Sequence, residues 1–275
     1  MLPNFIIIGS MKCGTTSLTT YLSQHKEVFI SNPQKLYYFS SDENYSKGIK
    51  YYESFFDNVR DELAIGEGCD DYSKGLNNKS ARASVRIREM IPECKLIFLA
   101  KHPIKQIESQ WLQRSANSAE RLPFNEAILH SQYDYIENAN YKKQLQFYID
   151  IFPNSQIQVY FTEDFALNPS NIVKSCLSFL DVNPSIEGIN FERQNISFNK
   201  AYYRSLTSLL RKNEFINKIA KKASPNIKNL LKKVFTKKRS YKPDWDQEAL
   251  SYVLNTIWEF YTTSRISVIQ IYLSY

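Results

Sequence analysis

Asn4-Phe-Ile-Ile-Ile-Gly-Ser-Met-Lys-Cys-Gly-Thr-Thr-Ser17 decides the fold. Its first half carries four bulky apolar side chains in a row and offers no polar face to water, the pattern of a strand buried on both sides in a parallel sheet. Its second half turns and opens a helix over 15–24, with Leu18, Tyr21 and Leu22 on one side and hydroxyl residues at the start. A turn of this kind, between a buried strand and a helix, aims backbone N–H groups and the positive end of the helix dipole at one spot. The segment is therefore suited to an anion.

Gly9 and Gly14 keep the G-x-x-x-x-G spacing of a loop that wraps a nucleoside triphosphate, yet Thr15 stands where that loop has its lysine. The lysine comes three residues earlier, as Lys12, at the crest of the turn. From there it would reach the bridging oxygen of a phosphate ester rather than a γ-phosphate, which suits transfer of a group off a 5′-phosphate. Lys12, Cys13, Gly14, Thr15, Thr16 and Ser17 are the candidate ligands. The plainer alternative, a tight turn with capping threonines and a surface lysine, is disfavoured by the buried strand in front of it.

Outward from this segment the strand-then-helix order repeats. A strand over 95–100 precedes a helical stretch with Ile104, Ile107, Trp111 and Leu112; another over 156–161 lies between helices expected over 140–151 and 170–180. Alternation of this kind gives an α/β fold with a central parallel sheet flanked by helices. With 275 residues, 43% hydrophobic, and no Gly/Ser linker or internal repeat, the chain is expected to form one domain over 1–275. Cys13, Cys69, Cys94 and Cys176 lack CxxC spacing and read as reduced thiols. No apolar stretch approaches a membrane span, so a cytoplasmic protein is expected. The net charge of +7 is uneven: residues 200–242 hold 14 Lys/Arg against the single acid Glu214, a net +13, leaving −6 elsewhere. That block, amphipathic through Leu206, Leu209, Leu210, Ile216 and Ile219, reads as a solvated helical face, an anion or nucleic-acid footprint, or a patch for a membrane surface.

Residues 7–18 resemble the 5′-phosphosulfate-binding loop of the sulfotransferase superfamily. The heparan-sulfate-type and bacterial branch is similar also over Phe39-Ser40, Lys47–Tyr52, Gly66-Glu67, Tyr160–Phe165 and Phe179–Val182. The resemblance implies a P-loop-like sulfotransferase that takes 3′-phosphoadenosine 5′-phosphosulfate, releases adenosine 3′,5′-bisphosphate, and modifies a glycan-like or lipid-linked acceptor without metal. It implies no nucleic-acid partner and no required protein partner. In that family a segment R-x-P-x-x-R-x-x-S holds the 3′-phosphate. Here it reads Lys101-His-Pro-Ile-Lys-Gln-Ile-Glu-Ser109, so Lys101 and Ser109 inherit that role while Gln106 replaces the second arginine. Lysine keeps the charge and loses the planar fork. Lys237, Lys238 and Arg239 match by position and charge the basic loop that closes over the same phosphate.

Sulfuryl transfer needs in-line positioning, a cation for the leaving phosphate and an acceptor for a proton. Heparan-type members carry the proton acceptor as the glutamate of K-E-x-x-F/Y-F, and in Gln34-Lys-Leu-Tyr-Tyr-Phe39 it is Lys35 that stands there. The substitutes open to the sequence are Lys35 with a burial-depressed pKa, Glu67 and His25. Two rival functions follow: a sulfotransferase fold that only binds an acidic polymer or membrane surface, and a P-loop small-molecule kinase, against which the displaced lysine counts.

Overall fold

In a computed structural model the described residues are 1–74, 78–117, 119–130, 133–192 and 243–262. They group into two compact units, one within Met1–Ile107, Ile136–Gln194 and Leu254–Tyr275, the other within Glu108–Tyr135 and Asn195–Val253. The basic block 200–242, with Lys237, Lys238 and Arg239, lies outside the described residues.

The expected apolar strand is β1, Phe5–Ile7, and it stands at the centre of the first unit's sheet. Phe5, Ile6, Ile7 and Ile8 have no exposed surface, as a strand covered on both faces requires. Around it lie β2 (Val28–Ile30), β3 (Ala64–Gly68), β4 (Lys95–Ala100) and β5 (Ile157–Phe161), in the order β2-β3-β1-β4-β5 with every pairing parallel. The fold class is α/β with helices flanking the sheet, as the sequence indicated. The chain steps from β1 to one side for β2 and β3 and to the other for β4 and β5, and ligands of such sheets bind beyond the carboxyl ends at that reversal.

β3 was not expected. Ala-Ile-Gly-Glu-Gly has a single β-branched residue and reads as a loop, yet the whole strand is buried. Gly66 is there because the Phe5 ring crosses it: a Cβ would meet that ring at 2.6 Å.

The helices between strands present short apolar rows to the sheet. They are α1 (Thr15–Leu22), two short ones, α2 (Asp42–Tyr45) and α3 (Ile49–Glu53), then α4 (Lys79–Met90) and α5 (Pro103–Ala116). α4 buries Ala83 and Ile87, four residues apart. After α6 (Phe124–His130) come α7 (Tyr141–Ile149), α8 (Thr162–Leu167) and α9 (Pro169–Phe179). α7 buries Tyr141, Leu145 and Tyr148, and α9 buries Val173, Cys176 and Leu177. Each fully buried aliphatic or aromatic side chain contributes roughly 1.5–3 kcal/mol. Asn140 and Asn168 cap α7 and α9 by accepting from Lys143 N and Asn171 N, and Pro169 begins α9 where a missing N–H costs nothing.

The second unit is built on edge-to-face aromatics: Trp111 against Phe124 at 5.2 Å and Phe124 against Trp245 at 4.7 Å. Trp245 Nε1 donates to Glu108 at 3.0 Å, and Tyr135 donates to Glu120 at 3.0 Å. The final helix, expected from near Asp244, is α10, Gln247–Thr262, with the Asp246 carboxylate accepting from Ala249 N at 2.8 Å. Among the described residues no helix is long and apolar enough to cross a membrane.

Candidate active site

The ladder between β1 and β4 continues past the strand end, Ile8 N donating to Ile97 O at 2.9 Å and Ser10 N to Leu99 O at 3.1 Å. Gly9 is thereby pressed on β4, its missing Cβ 2.6 Å from Leu99 N. The chain then reverses through two left-handed residues, Lys12 at φ 69° and Gly14 at φ 90°, with Cys13 N donating to Ser10 O at 3.2 Å. α1 starts at once, with no side-chain cap and no acid in its first turn. Its first N–H groups thus face outward as donors beside a lysine, and this donor set fits the phosphate of a nucleotide.

Other elements of the same unit hold the loop, two of them by its carbonyls and one through the Ser10 hydroxyl. Gln106 Nε2 donates to Met11 O at 3.2 Å, Ser10 Oγ donates to Asn138 O at 3.0 Å, and the Thr162 hydroxyl lies 2.7 Å from the carbonyl oxygens of both Cys13 and Ala100. Gln106, which the sequence comparison left as a lost arginine, is fully buried and buttresses the loop instead. Cys13 has no exposed surface; burial pushes its thiol up to about 12, against the smaller opposing pulls of the Tyr141 hydroxyl at 3.7 Å and the Lys101 charge. Its contribution to an anion is therefore its backbone.

Lys12 and Ser17 are half-exposed, Thr16 is exposed and Thr15 is buried. Lys101 follows β4, half-buried and within electrostatic range of Cys13, on the loop's side of the sheet. Ser109 is half-exposed on α5, in the second unit. His25 precedes β2, at the amino edge of the sheet opposite the crevice, with Nδ1 accepting from Glu27 N at 3.2 Å.

The carboxyl end of β3 carries three acids that the loop's neighbour strand brings close together: Glu67, Asp70 and Asp71. Glu67 has no exposed surface. Its Oε1 accepts from Tyr52 at 2.7 Å and Tyr72 at 2.9 Å, and its Oε2 accepts from Leu36 N at 3.2 Å. Tyr38, Phe39, Tyr52, Phe56 and Tyr72 pack around it, Tyr38 stacking on Tyr52 at 4.4 Å. Segments that carried the family resemblance thus meet as one buried cluster, with a polar centre that no acceptor hydroxyl can reach. Burial raises the Glu67 carboxyl to about 7, against three hydrogen bonds that favour its charge. Between its ordinary 4.5 and 7 the folded protein keeps a proton that the unfolded chain has released, so this residue's contribution to stability falls as pH rises through that window. Tm is expected to drop by a few degrees more between pH 5 and 7 in the wild type than in Glu67→Gln, followed by calorimetry; parallel profiles would contradict it.

Asp71 accepts from Ser40 at 2.9 Å, Lys79 at 2.7 Å and Lys74. Despite burial, these cations and the hydroxyl hold its carboxyl below the usual range. Lys35 is ion-paired with Asp70. Burial works against its charge, but the Asp70 carboxylate outweighs that and its pKa is raised. The depressed lysine that sequence reasoning offered is thus not what the structure contains. Sequence reasoning also missed Asp70 and Thr162. A cation at a position where relatives place an acid is the signal that calls for a carboxylate on the adjoining strand end.

The sulfotransferase domain family matches residues 2–238. The chain is 32% identical over 145 residues, 50% of its length, to the membrane-associated sulfotransferase kil1 of Dictyostelium discoideum, spanning 29% of that protein. Over 72% of its length it is 26% identical to heparan sulfate glucosamine 3-O-sulfotransferase 5 of Homo sapiens, spanning 62% of it. Over 74% it is 23% identical to a bifunctional heparan sulfate N-deacetylase/N-sulfotransferase of Drosophila melanogaster, spanning 22%. The chain therefore spans less than two thirds of each of these curated relatives. In structure it is similar to a sulfotransferase from Alicyclobacillus acidocaldarius, with TM-score 0.62, 22% identity, and 94% and 96% of the two chains covered, a likeness of fold.

Proposed function

The chain belongs to the sulfotransferase domain family, and from that premise we propose that it transfers a sulfuryl group from 3′-phosphoadenosine 5′-phosphosulfate to a hydroxyl or amine of a glycan-like or lipid-linked acceptor. The observation that carries the proposal is the uncapped start of α1 behind the left-handed Lys12, a nest of donors with one cation at its crest. When bound, the donor supplies a sulfuryl group activated on a 5′-phosphate leaving group. The amides of residues 12–17 orient that phosphate, and Lys12 neutralises the charge it gains. The family resemblance assigns the 3′-phosphate to Lys101 and to Ser109, each within its own unit, and to Lys237, Lys238 and Arg239, which lie outside the described residues. Thr162 and Gln106 fix two of the loop's carbonyls, and Ser10 ties the loop to the Asn138 carbonyl, so that its N–H groups need not reorganise. The reading needs no metal. It treats 1–275 as one sulfotransferase domain in the cytoplasm, with 200–242 resting on acidic acceptor or on the inner membrane surface.

Titration of adenosine 3′,5′-bisphosphate by calorimetry in EDTA tests this. The wild type is expected to bind, and a Lys12→Ala/Ser109→Ala double variant is expected to lose most of the affinity. Folded wild type that ignores the bisphosphate and takes MgATP instead would replace the reading with a kinase. Lys35 in place of an acid favours one second reading, a binder that holds the nucleotide without transfer; it predicts bisphosphate binding with no turnover of the sulfuryl donor.

A further inference from the structure

Of the three carboxylates at the end of β3, two are fully engaged. Glu67 accepts from three donors, and so does Asp71. Asp70, about one-tenth exposed at its side chain, accepts from Lys35 alone, through Oδ1; its Oδ2 has no partner among the described residues. The sheet register gives its location. Ile7 of β1 pairs with Gly68 of β3, and Cys69 N donates to Ile7 O at 2.9 Å. Beyond these paired ends, Gly9, which opens the phosphate loop, follows β1 by two residues, and Asp70 follows β3 by two, at the start of the turn Asp70–Ser73. Asp70 thus leaves the carboxyl edge of the sheet from the strand next to the one that carries the loop. Lys35, arriving from β2, completes a row of charged groups along that edge.

Resting on the transferase reading above, we propose that Asp70 is the general base of the transfer, with Lys35 as the cation that orients it. The acceptor's O–H or N–H proton passes to the uncommitted oxygen of Asp70 as the acceptor atom bonds to sulfur. The bond from sulfur to the bridging oxygen of the 5′-phosphate breaks, and its electron pair leaves with the adenosine 3′,5′-bisphosphate, whose new charge faces Lys12. Lys35 cannot take the proton, because its pairing with Asp70 keeps the amine protonated. The acid that the family's pattern places after β2 has in effect moved one strand over, and the lysine marks the vacated position.

The test compares wild type, Asp70→Asn and Lys35→Ala by turnover of 35S-labelled sulfuryl donor, to water and to desulfated, N-deacetylated heparosan as a probe acceptor, alongside calorimetric binding of the bisphosphate. Asp70→Asn is expected to lower kcat about a hundredfold, the low end for a general base, with bisphosphate Kd within threefold of wild type. The acid limb of the kcat–pH profile should vanish in that variant, and NMR of the Lys35 side chain should show its pKa falling. Lys35→Ala, which keeps the carboxylate, is expected to lose less. Turnover by Asp70→Asn above a fifth of wild type overturns the assignment, as does a loss of bisphosphate affinity that matches the loss of kcat. If Asp70→Asn does not fold, Asp70→Glu carries the test: a displaced carboxylate is expected to cost about tenfold in kcat, and unchanged kcat overturns the role. Failure of the transferase reading is separate, since it appears as wild type that binds without turnover or does not bind, and the base assignment falls with it.

Discussion

Lys12→Gly is expected to leave the protein about as stable as the wild type while slowing sulfuryl transfer roughly a thousandfold, the upper range for removal of one charge-stabilising group. The two halves of this expectation come from the same torsion angle. Lys12 sits at φ 69°, where a side chain is strained by about 1 kcal/mol or more. Glycine relieves that strain but frees the unfolded chain by about 0.4–1 kcal/mol, so the two effects nearly cancel. What glycine cannot supply is the ammonium that meets the charge on the departing phosphate. Thermal unfolding and labelled-donor turnover, measured on the same preparation, check both halves. Equal loss of stability and turnover would make Lys12 a structural residue, and unchanged turnover would remove it from the chemistry.

Gly9→Ala should damage both the fold and the loop. The added methyl would lie 2.6 Å from Leu99 N and 2.7 Å from Leu99 Cβ, so backbone rather than a pliant side chain must yield. β1 and β4 are neighbouring inner strands, tied on both sides of this point by Ile8–Ile97 and Ser10–Leu99 hydrogen bonds. Separating them breaks that ladder and tilts the loop it supports. Overpacking of this kind costs about 3 kcal/mol or more, which for a chain of this size lowers Tm by roughly 10 °C, and bisphosphate binding should be lost with it. Gly48→Ala is the control: nothing lies within 4 Å there, so only the torsional cost of φ 80°, ψ 172°, about 1–3 kcal/mol, is expected, with bisphosphate binding kept. Similar Tm shifts in the two variants would contradict the steric account.

What could be read beforehand was whatever is contiguous in sequence. β4 was expected over 95–100 and spans Lys95–Ala100, because its apolar run declares itself without reference to a partner. The strand, turn and helix start of residues 5–17 were legible for the same reason, since they form one short contiguous segment. β2 is three residues long, and β3 owes its place to the Phe5 ring over Gly66, sixty-one positions away, and to the hydroxyls of Tyr52 and Tyr72 on Glu67, contacts that no pattern within the strand announces. Asp70 escaped notice because its meaning depends on Lys35, thirty-five positions earlier and one strand across.

The pairing of Lys35 with Asp70 also constrains how such a sheet edge changes over generations. Reversing Lys35 alone to an acid would set two anions side by side, and reversing Asp70 alone would set two cations there. Each single step is penalised where the double step is tolerated, so the two positions are epistatic. A lineage passes between an acid after β2 and an acid after β3 only by way of a neutral residue at one of them. The quantity that persists along such a path is the net charge at one edge of the sheet, rather than the identity of any single residue.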